Sequence, residues 1–538
     1  MVLAGGAIGA GALLLRSSGP TSAAGAPRFV SDTATSGISH RYEGDVTFAV
    51  GGGVAVLDCN ADGRPDLYLA GGSAPATLYR NDGAIGGPLH FSTVDAPAVG
   101  LPRVTGAYPI DIDGDGITDL VVLRAGESAI FRGTGNCQFE PVSEALGFDG
   151  APGDTFAFSA TWEGAAALPT LAFGRYLRPG PDGTPTADCD SSSLLRPAAG
   201  GARYGSAIDL LPGYCALSML FSDWDRSGRR DLRVTNDRNY YADGMDQLWR
   251  VEPGRAPRLY TAEDGWVAMQ IFGMGIASQD LTGVGYPELY ITSQGDNKLQ
   301  TLTSGPDRPT YRDIALRRGV IATQPFTGGD TLPSTAWHPE FQDVNNDGFL
   351  DLFVSKGNVS DEPGYAIRDP SNLFLGQPDG TFVEGAEQAG IVTFERGRGA
   401  ALADFNLDGL PDLVVANYGA DVSLWRNVGS GTEEAPAQMG NWAAIRLLQA
   451  RPNPDAIGAW IETRIGDQTL QRELSIGGGH AGGQLGWLHL GLGPAGSAEV
   501  RVQWPDGELG PWIRVEASEF AIIERGATEA RRWLPGGS

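Results

Sequence analysis

Apolar residues along this chain come in short runs broken by Gly, Pro, Asn and Asp, as in Val54-Ala-Val-Leu, Leu67-Tyr-Leu, Leu120-Val-Val-Leu, Leu352-Phe-Val and Leu413-Val-Val. Runs of this length, rich in β-branched residues and bounded by turn formers, predict strands. The runs recur in a fixed order. A strand of small residues comes first, as in Gly51-Gly-Gly-Val-Ala-Val or Gly273-Met-Gly-Ile-Ala. A polar loop and an apolar strand follow. The third strand ends in a turn, as in Thr77-Leu-Tyr-Arg-Asn81-Asp-Gly83 and Ser423-Leu-Trp-Arg-Asn427. The fourth begins aromatic and ends Gly-apolar, as in Phe91 to Gly100-Leu101 and Tyr311 to Gly319-Val320.

Loops of such units begin at 58, 111, 223, 280, 343 and 404, and a relic that keeps only its strands surrounds Trp162. Units of about 50–60 residues with four strands each predict an all-β chain whose residues 28–430 form a seven-bladed β-propeller. Small residues suit the first strand, because such strands crowd around one axis. The last unit lacks a fourth strand, yet Arg28-Phe29-Val to Gly37-Ile38 has the fourth-strand pattern ahead of the first loop. Strand 28–38 is therefore expected to complete the last blade and close the ring. After a Gly/Glu/Pro linker at 431–440, residues 441–526 alternate apolar and polar positions in a different rhythm, which predicts a small β-sandwich-like domain. Residues 527–538 read as a frayed tail.

The polar loops carry the chemistry. Five share oxygen-bearing side chains at positions 1, 3, 5 and 9 with Gly at position 6: Asp58, Asn60, Asp62, Asp66; Asp111, Asp113, Asp115, Asp119; Asp223, Asp225, Ser227, Asp231; Asp343, Asn345, Asp347, Asp351; and Asp404, Asn406, Asp408, Asp412. Alternate residues of a tight loop can turn several oxygens onto one hard cation, and Gly at position 6 permits the sharp bend. Calcium, with six to eight oxygen ligands and tolerant geometry, fits better than magnesium. The loop is not an EF-hand, which closes on Glu at position 12 between two helices; here the last acid is at position 9 and strands flank the loop. About five Ca²⁺ sites are expected. The loops at 162 and 280 are not counted, because the first has no ligands and the second has Val284 and Glu288 in ligand positions.

Composition narrows the function. Charged residues, 39 basic and 65 acidic, give a net charge of −26, which disfavours a nucleic-acid partner. The N-terminus, Met1 to about Leu15, is apolar and is followed by small residues, so 1–27 reads as a secretory-signal-like segment or short anchor. No other stretch is apolar enough to span a bilayer. The expected location is secreted, periplasmic or cell-surface. There are four cysteines, Cys59, Cys137, Cys189 and Cys215. In an exported chain they permit two disulfides. Cys189 and Cys215 bracket a Pro/Gly/Ser-rich excursion and are the better-placed pair; this leaves Cys59 and Cys137 available for a second bond, with free, partly buried thiols the alternative.

The repeats resemble the FG-GAP/VCBS repeats of integrin-like propellers. The C-terminal region resembles the ASPIC/UnbV domain of the cartilage acidic protein family, on Asn441-Trp442, Ile457-Gly458-Ala459, Gly477-Gly-Gly, Gly491-Leu-Gly493 and Trp504-Pro-Asp-Gly507. The resemblance implies an extracytoplasmic calcium-binding scaffold.

Two functions follow as expectations. The first is a non-catalytic binding, adhesion or scaffold propeller for a protein or glycan partner. The second is a polysaccharide lyase or glycosidase at the mouth of the propeller channel. There the first strands bring Tyr108, Gln270, Trp337, His338, Glu340, Arg396 and Arg398, with Glu340, His338 and Arg398 the candidate catalytic groups and Glu340 the general acid or base. His480 and His489 read as structural or solvent-facing. No Walker loop, His-Glu-x-x-His or Gly-x-Ser-x-Gly is present.

Overall fold

The computed structural model describes residues 23–180, 185–237 and 244–536. Within them, residues 29–427 form seven four-stranded antiparallel sheets that follow one another along the chain. The first holds Val54–Leu57, Asp66–Leu69, Thr77–Asn81 and Phe91–Thr93 in that order. The innermost strand of each sheet packs against those of its neighbours, and the last sheet returns to the first. This is a β-propeller. Its cores lie between neighbouring sheets: Tyr108 and Val121 of the second pack with Phe158 and Phe173 of the third. In six of the seven sheets the pairing of the two inner strands shifts register near the start of the innermost one, as between Gly397 and Ala400. Each bulge tightens the twist where the strands crowd together.

The ring closes on its N-terminal strand. Phe29–Ser31 pairs with Ser423–Asn427 as the fourth strand of the last sheet, with Phe29 opposite Asn427. Asp32, just beyond it, accepts hydrogen bonds from Arg426 Nε at 3.0 Å and from Leu89 N, in the first unit, at 2.8 Å. Both charged side chains are almost wholly buried, with 1% of Arg426 and 4% of Asp32 exposed. Removing one partner of such a pair strands the other charge in the interior. Asp32→Ala should therefore cost about 3–5 kcal/mol. A urea midpoint unchanged from the wild type would show that this clasp does not hold the ring.

The second domain is a sandwich. One sheet has the order Leu488–Gly493, Asn441–Leu448, Glu519–Glu524, Arg531–Trp533; the other Gln468–Glu473, Trp460–Ile465, Ser497–Gln503, Ile513–Glu516. Ile445, Ile461, Val500 and Trp504 lie in the core between them. The C-terminus differs from the expected frayed tail. Arg531–Trp533 is a paired strand, and Trp533 packs with Trp487 and Phe520 in an apolar cluster that fixes it. The linker folds back onto the ring, where Gln438 Nε2 donates to Asp408 O.

Both disulfides form. Cys59–Cys137 ties the first acidic loop to the second sheet, and Cys189–Cys215 ties a hairpin inserted in the third unit, Leu177–Pro179 with Pro185–Cys189, to the start of the fourth. Such bonds belong to an oxidising compartment. No helix among the described residues is long and apolar enough to cross a membrane. The apolar segment from Met1 to about Leu15 lies outside the described residues.

Candidate functional site

Each acidic loop joins the innermost strand of a sheet to the second strand. The glycine at position 6 is left-handed in all five, at φ of 80° for Gly63, 89° for Gly116, 82° for Gly228, 88° for Gly348 and 86° for Gly409. Its N–H donates to the carboxylate at position 1, at 2.7 Å in Gly116 to Asp111 and 2.8 Å in Gly348 to Asp343. Position 9 has a second duty. The carboxylates of Asp66, Asp119, Asp351 and Asp412 are fully buried and accept backbone N–H groups from loop position 2 and from the third strand, as Asp119 does from Ile112 and Gly133.

Without a counter-ion these acids cannot all ionise. Burial, reinforced by neighbouring carboxylates, pushes Asp66 and Asp119 up to about 8. Asp343, Asp351, Asp404 and Asp412 are raised well above the ordinary carboxylate range for the same reasons. In the loop at 111, single carboxylate oxygens of Asp111, Asp113 and Asp115 come within 4.8 Å of one another.

The loop at 223 departs from this geometry because it carries its own cation. The Arg229 guanidinium donates to Asp225 at 3.1 Å and to Asp231 at 2.9 and 3.1 Å, while Trp224 Nε1 and Tyr260 Oη also donate to Asp231. Position 7 is where the sequence offered only a backbone carbonyl; its side chain folds back among the acids. In the eroded loop at 280, Val284 is exposed, and Glu288 accepts from Leu281 N, Thr282 and Thr301 within its own sheet.

The centre of the ring is the largest departure from expectation. The groove expected there is filled by residues 474–487 of the second domain. This segment contains Gly477-Gly-Gly-His-Ala-Gly-Gly and threads between the innermost strands. Ile276 N and Gly479 O, Gly479 N and Ile276 O, Gly478 N and Met219 O, Ala107 N and Ala481 O, and Val56 N and Gly483 O are hydrogen-bonded pairs. The innermost strand of a blade has an unpaired edge facing the axis, and the plug satisfies it. The fit needs bare backbone on both sides. A Cβ on Gly53 or Gly106 would lie 1.9 Å from the Ala481 carbonyl oxygen, and one on Gly482 would lie 2.0 Å from that of Val54.

The candidate catalytic residues take structural places around this plug. Arg398 is fully buried; it stacks over Trp337 at 4.1 Å and donates to the carbonyls of Ala49, Gly397, Asn358 and Val359. His338 Nδ1 accepts from His480 N at 3.1 Å, and Glu340 accepts from Gln484 Nε2 at 2.8 Å and Leu402 N at 3.0 Å. Tyr108 and Trp337 are also fully buried, whereas Gln270 is exposed. Among the described residues these side chains do not line one common groove: the plug occupies the centre, and only His338 and Glu340 of the expected cluster border the cavity beside it. His480 is buried against Trp337, with ring centroids 5.1 Å apart, and is pushed down to about 3 by burial and then by Arg398 and His338. It is neutral at physiological pH.

The second domain sits on the face that carries the acidic loops. Trp487 Nε1 donates to Gly63 O, Arg230 reaches the carbonyls of Gly458 and Pro505, and Glu473 accepts from Asp223 N. Arg451 donates to Gly114 O, and His489 meets Asn346 Oδ1 at 2.6 Å. Trp442 packs over Gly409, and Gly491 lies against Asp343, where a Cβ would come 1.7 Å from the carboxylate. All five acidic loops therefore touch the second domain. Nothing in the spacing of the loops revealed this, although the glycine run at 477–483 was a legible sign of close backbone approach.

An FG-GAP-like repeat model matches residues 58–122 and 343–415, and an ASPIC and UnbV model matches 449–530, which includes the plug. Cartilage acidic protein 1 of Xenopus tropicalis is 29% identical over 222 residues, covering 38% of this chain and 31% of that protein. The Homo sapiens protein of the same name is 28% identical over 229 residues, covering 39% of this chain and 31% of that protein. The matched stretch thus spans about a third of the length of these relatives. Among solved structures, the extracellular domain of a hybrid two-component system of B. thetaiotaomicron superposes with a TM-score of 0.41 at 9% identity, covering 93% of this chain and 59% of that one. Saccharomyces cerevisiae Sqt1 gives a TM-score of 0.40 at 12% identity, covering 75% and 98%. In architecture this chain is a β-propeller, matching FG-GAP-like repeats over residues 58–122 and 343–415, with a second domain that matches ASPIC and UnbV over 449–530, sits on one face and plugs the centre.

Proposed function

We propose that the protein is a calcium-binding, extracytoplasmic scaffold that engages a protein or glycan partner without catalysis. The observation that carries this reading is the plug. The place where a propeller most readily builds a reactive groove is filled by the chain's own backbone, and the polar groups there are used to hold it. The loop face is covered by the second domain, which leaves the opposite face and the outer strands to a partner.

The donor sets at 58, 111, 343 and 404 fit Ca²⁺: hard oxygens at positions 1, 3, 5 and 9, position-9 carboxylates raised by burial, and, among the described residues, no basic side chain of the loop itself hydrogen-bonded to them. The loop at 223 is occupied by Arg229 and does not need the ion. Calcium serves here to let like charges pack against one another and against the second domain. Two disulfides support a location outside the cytoplasm.

Metal analysis of protein dialysed against calcium should give four ions per chain, and Arg229→Gln should raise the count to five. Absence of bound calcium would remove the central claim, and a count of five in the wild type would remove the role given to Arg229. Non-catalysis is tested with a panel of polysaccharides. Turnover by the wild type that disappears in Glu340→Gln would reverse the reading, whereas capture of a glycan or extracellular protein that survives this substitution supports it.

A further inference from the structure

Between the plug, the innermost strands and the second domain lies a cavity of about 190 Å³. That is several times the roughly 30 Å³ share of one water molecule. Its wall contains one charge with no partner. Arg472, on the strand Gln468–Glu473, is half-buried and lines the cavity. Among the described residues its guanidinium makes no hydrogen bond, and no carboxylate comes within 4 Å of it. The Glu340 carboxylate, also on the wall, is the opposite charge that acts on it. A guanidinium has five donors, and with no protein acceptor they face the cavity, open to a ligand or to water.

The rest of the wall offers acceptors. Glu340 has three donors on a carboxylate that accommodates about four. His489 Nε2 donates to Asn346 Oδ1, because the Asn346 amide donates to Gly409 O and Gln438 Oε1 and so turns its oxygen towards the ring. This leaves His489 Nδ1 as a bare acceptor, buried and unpaired. Gln342 Oε1, also on the wall, is buried and unpaired. Val56, Leu220, Ile276 and Leu402 supply apolar surface between these groups.

From this juxtaposition we propose that the cavity is a binding site for a small carboxylate that also carries a hydrogen-bond donor, an α-amino acid or a hydroxy acid. The carboxylate would take the fork of Arg472, whose planar geometry matches it in bidentate fashion. The ammonium or hydroxyl would be received by Glu340 and its neighbouring acceptors, so that one ligand bridges two charges that do not reach each other. A dianion such as sulfate or phosphate fits poorly, because Glu340 and Glu473 share the wall and Arg446 is engaged by Asp58 and Asp455. The wall also includes Asp58 and Asp404, from the first and last acidic loops, and the site is formed only when the second domain is seated on the ring.

The test is isothermal titration of the full chain in calcium with glycine, L-alanine, glycolate, L-lactate, acetate, L-alaninamide and sulfate. At least one amino or hydroxy acid should bind one to one, with acetate and sulfate weaker and the amide silent. Glycine against glycolate distinguishes the ammonium from the hydroxyl. Arg472→Gln should weaken binding at least tenfold, and Ala403→Leu, which fills the cavity from the ring side, should abolish it. No saturable binding to the wild type would mean a water-filled cavity and would overturn the proposal. Equal affinity for L-alanine and L-alaninamide, or for sulfate and the carboxylates, would overturn it even if neither variant folds. Loss of calcium binding in the metal analysis above, with ligand binding intact, would defeat the proposed function and leave this site standing.

Discussion

Removing calcium with a chelator should lower the thermal midpoint of this protein by about 10 °C or more. The expectation follows from linkage: each ion held at a hundred times its dissociation constant adds about 2.7 kcal/mol, and four sites act on one cooperative ring. The metal-free protein should also acquire a characteristic pH dependence. Asp66 and Asp119 are raised from an ordinary value of 3.8 to about 8, and Asp111 to about 6, chiefly by burial. A carboxyl raised in the folded state favours folding below its unfolded value, and this contribution is lost as pH rises through the folded one. In chelator, the midpoint should therefore fall from about pH 4 to pH 8. With calcium present the carboxylates are held ionised, and the fall should be flattened or reversed. The scan that decides this compares pH 5 with pH 8.5, with and without metal. A chelated protein that gains stability across that range would show that the loop acids are not buried as described.

Gly482→Ala should be severely destabilising, although it adds a single methyl group. The new Cβ would stand 2.0 Å from the carbonyl oxygen of Val54, a backbone atom that no rotamer change can move. Overpacking of this kind costs about 3 kcal/mol when the clash is with main chain. Relief requires the plug to leave the ring, which would also break the hydrogen bonds from Ala107 N to Ala481 O and from Val56 N to Gly483 O. The expected result is a lower midpoint together with faster proteolysis of the second domain, while the far-ultraviolet spectrum remains that of a β protein. A variant with the wild-type midpoint and protease resistance would mean that the plug is not seated in the ring. The same reasoning extends to Gly53 and Gly106 on the facing strands.

These two results probe features of different legibility. The acidic loops could be read directly as turns between the first two strands of a sheet, because the pattern is local: the four oxygen-bearing positions, the Gly at position 6 and the flanking strands lie within a few residues of one another. Ring closure was legible for a related reason. A fourth-strand pattern at Phe29 had no blade of its own, and the last unit lacked one. The fate of Arg229 was not legible. Position 7 contributes its backbone to such a loop, and whether its side chain points outward or turns back to Asp225 and Asp231 depends on packing against Tyr260, in the fourth-strand region of that sheet.

The candidate catalytic cluster shows the limit most clearly. Of the cluster expected at the channel mouth, Tyr108, Trp337, His338, Glu340 and Arg398 lie on innermost strands, as the strand pattern puts them, whereas Gln270 and Arg396 fall just outside those strands. What they face there was decided by a segment far away in sequence, since residues 474–487 belong to another domain. The chain alone determined the strand repeat, the acidic loops and the β-sandwich, all of which arise from periodicities and turns of short range. Tertiary structure alone decided that the loops form the seat of the second domain and that its glycine run fills the channel, because both depend on two surfaces meeting. Bare backbone on one side matched bare backbone on the other, and sequence spacing carries no record of that encounter.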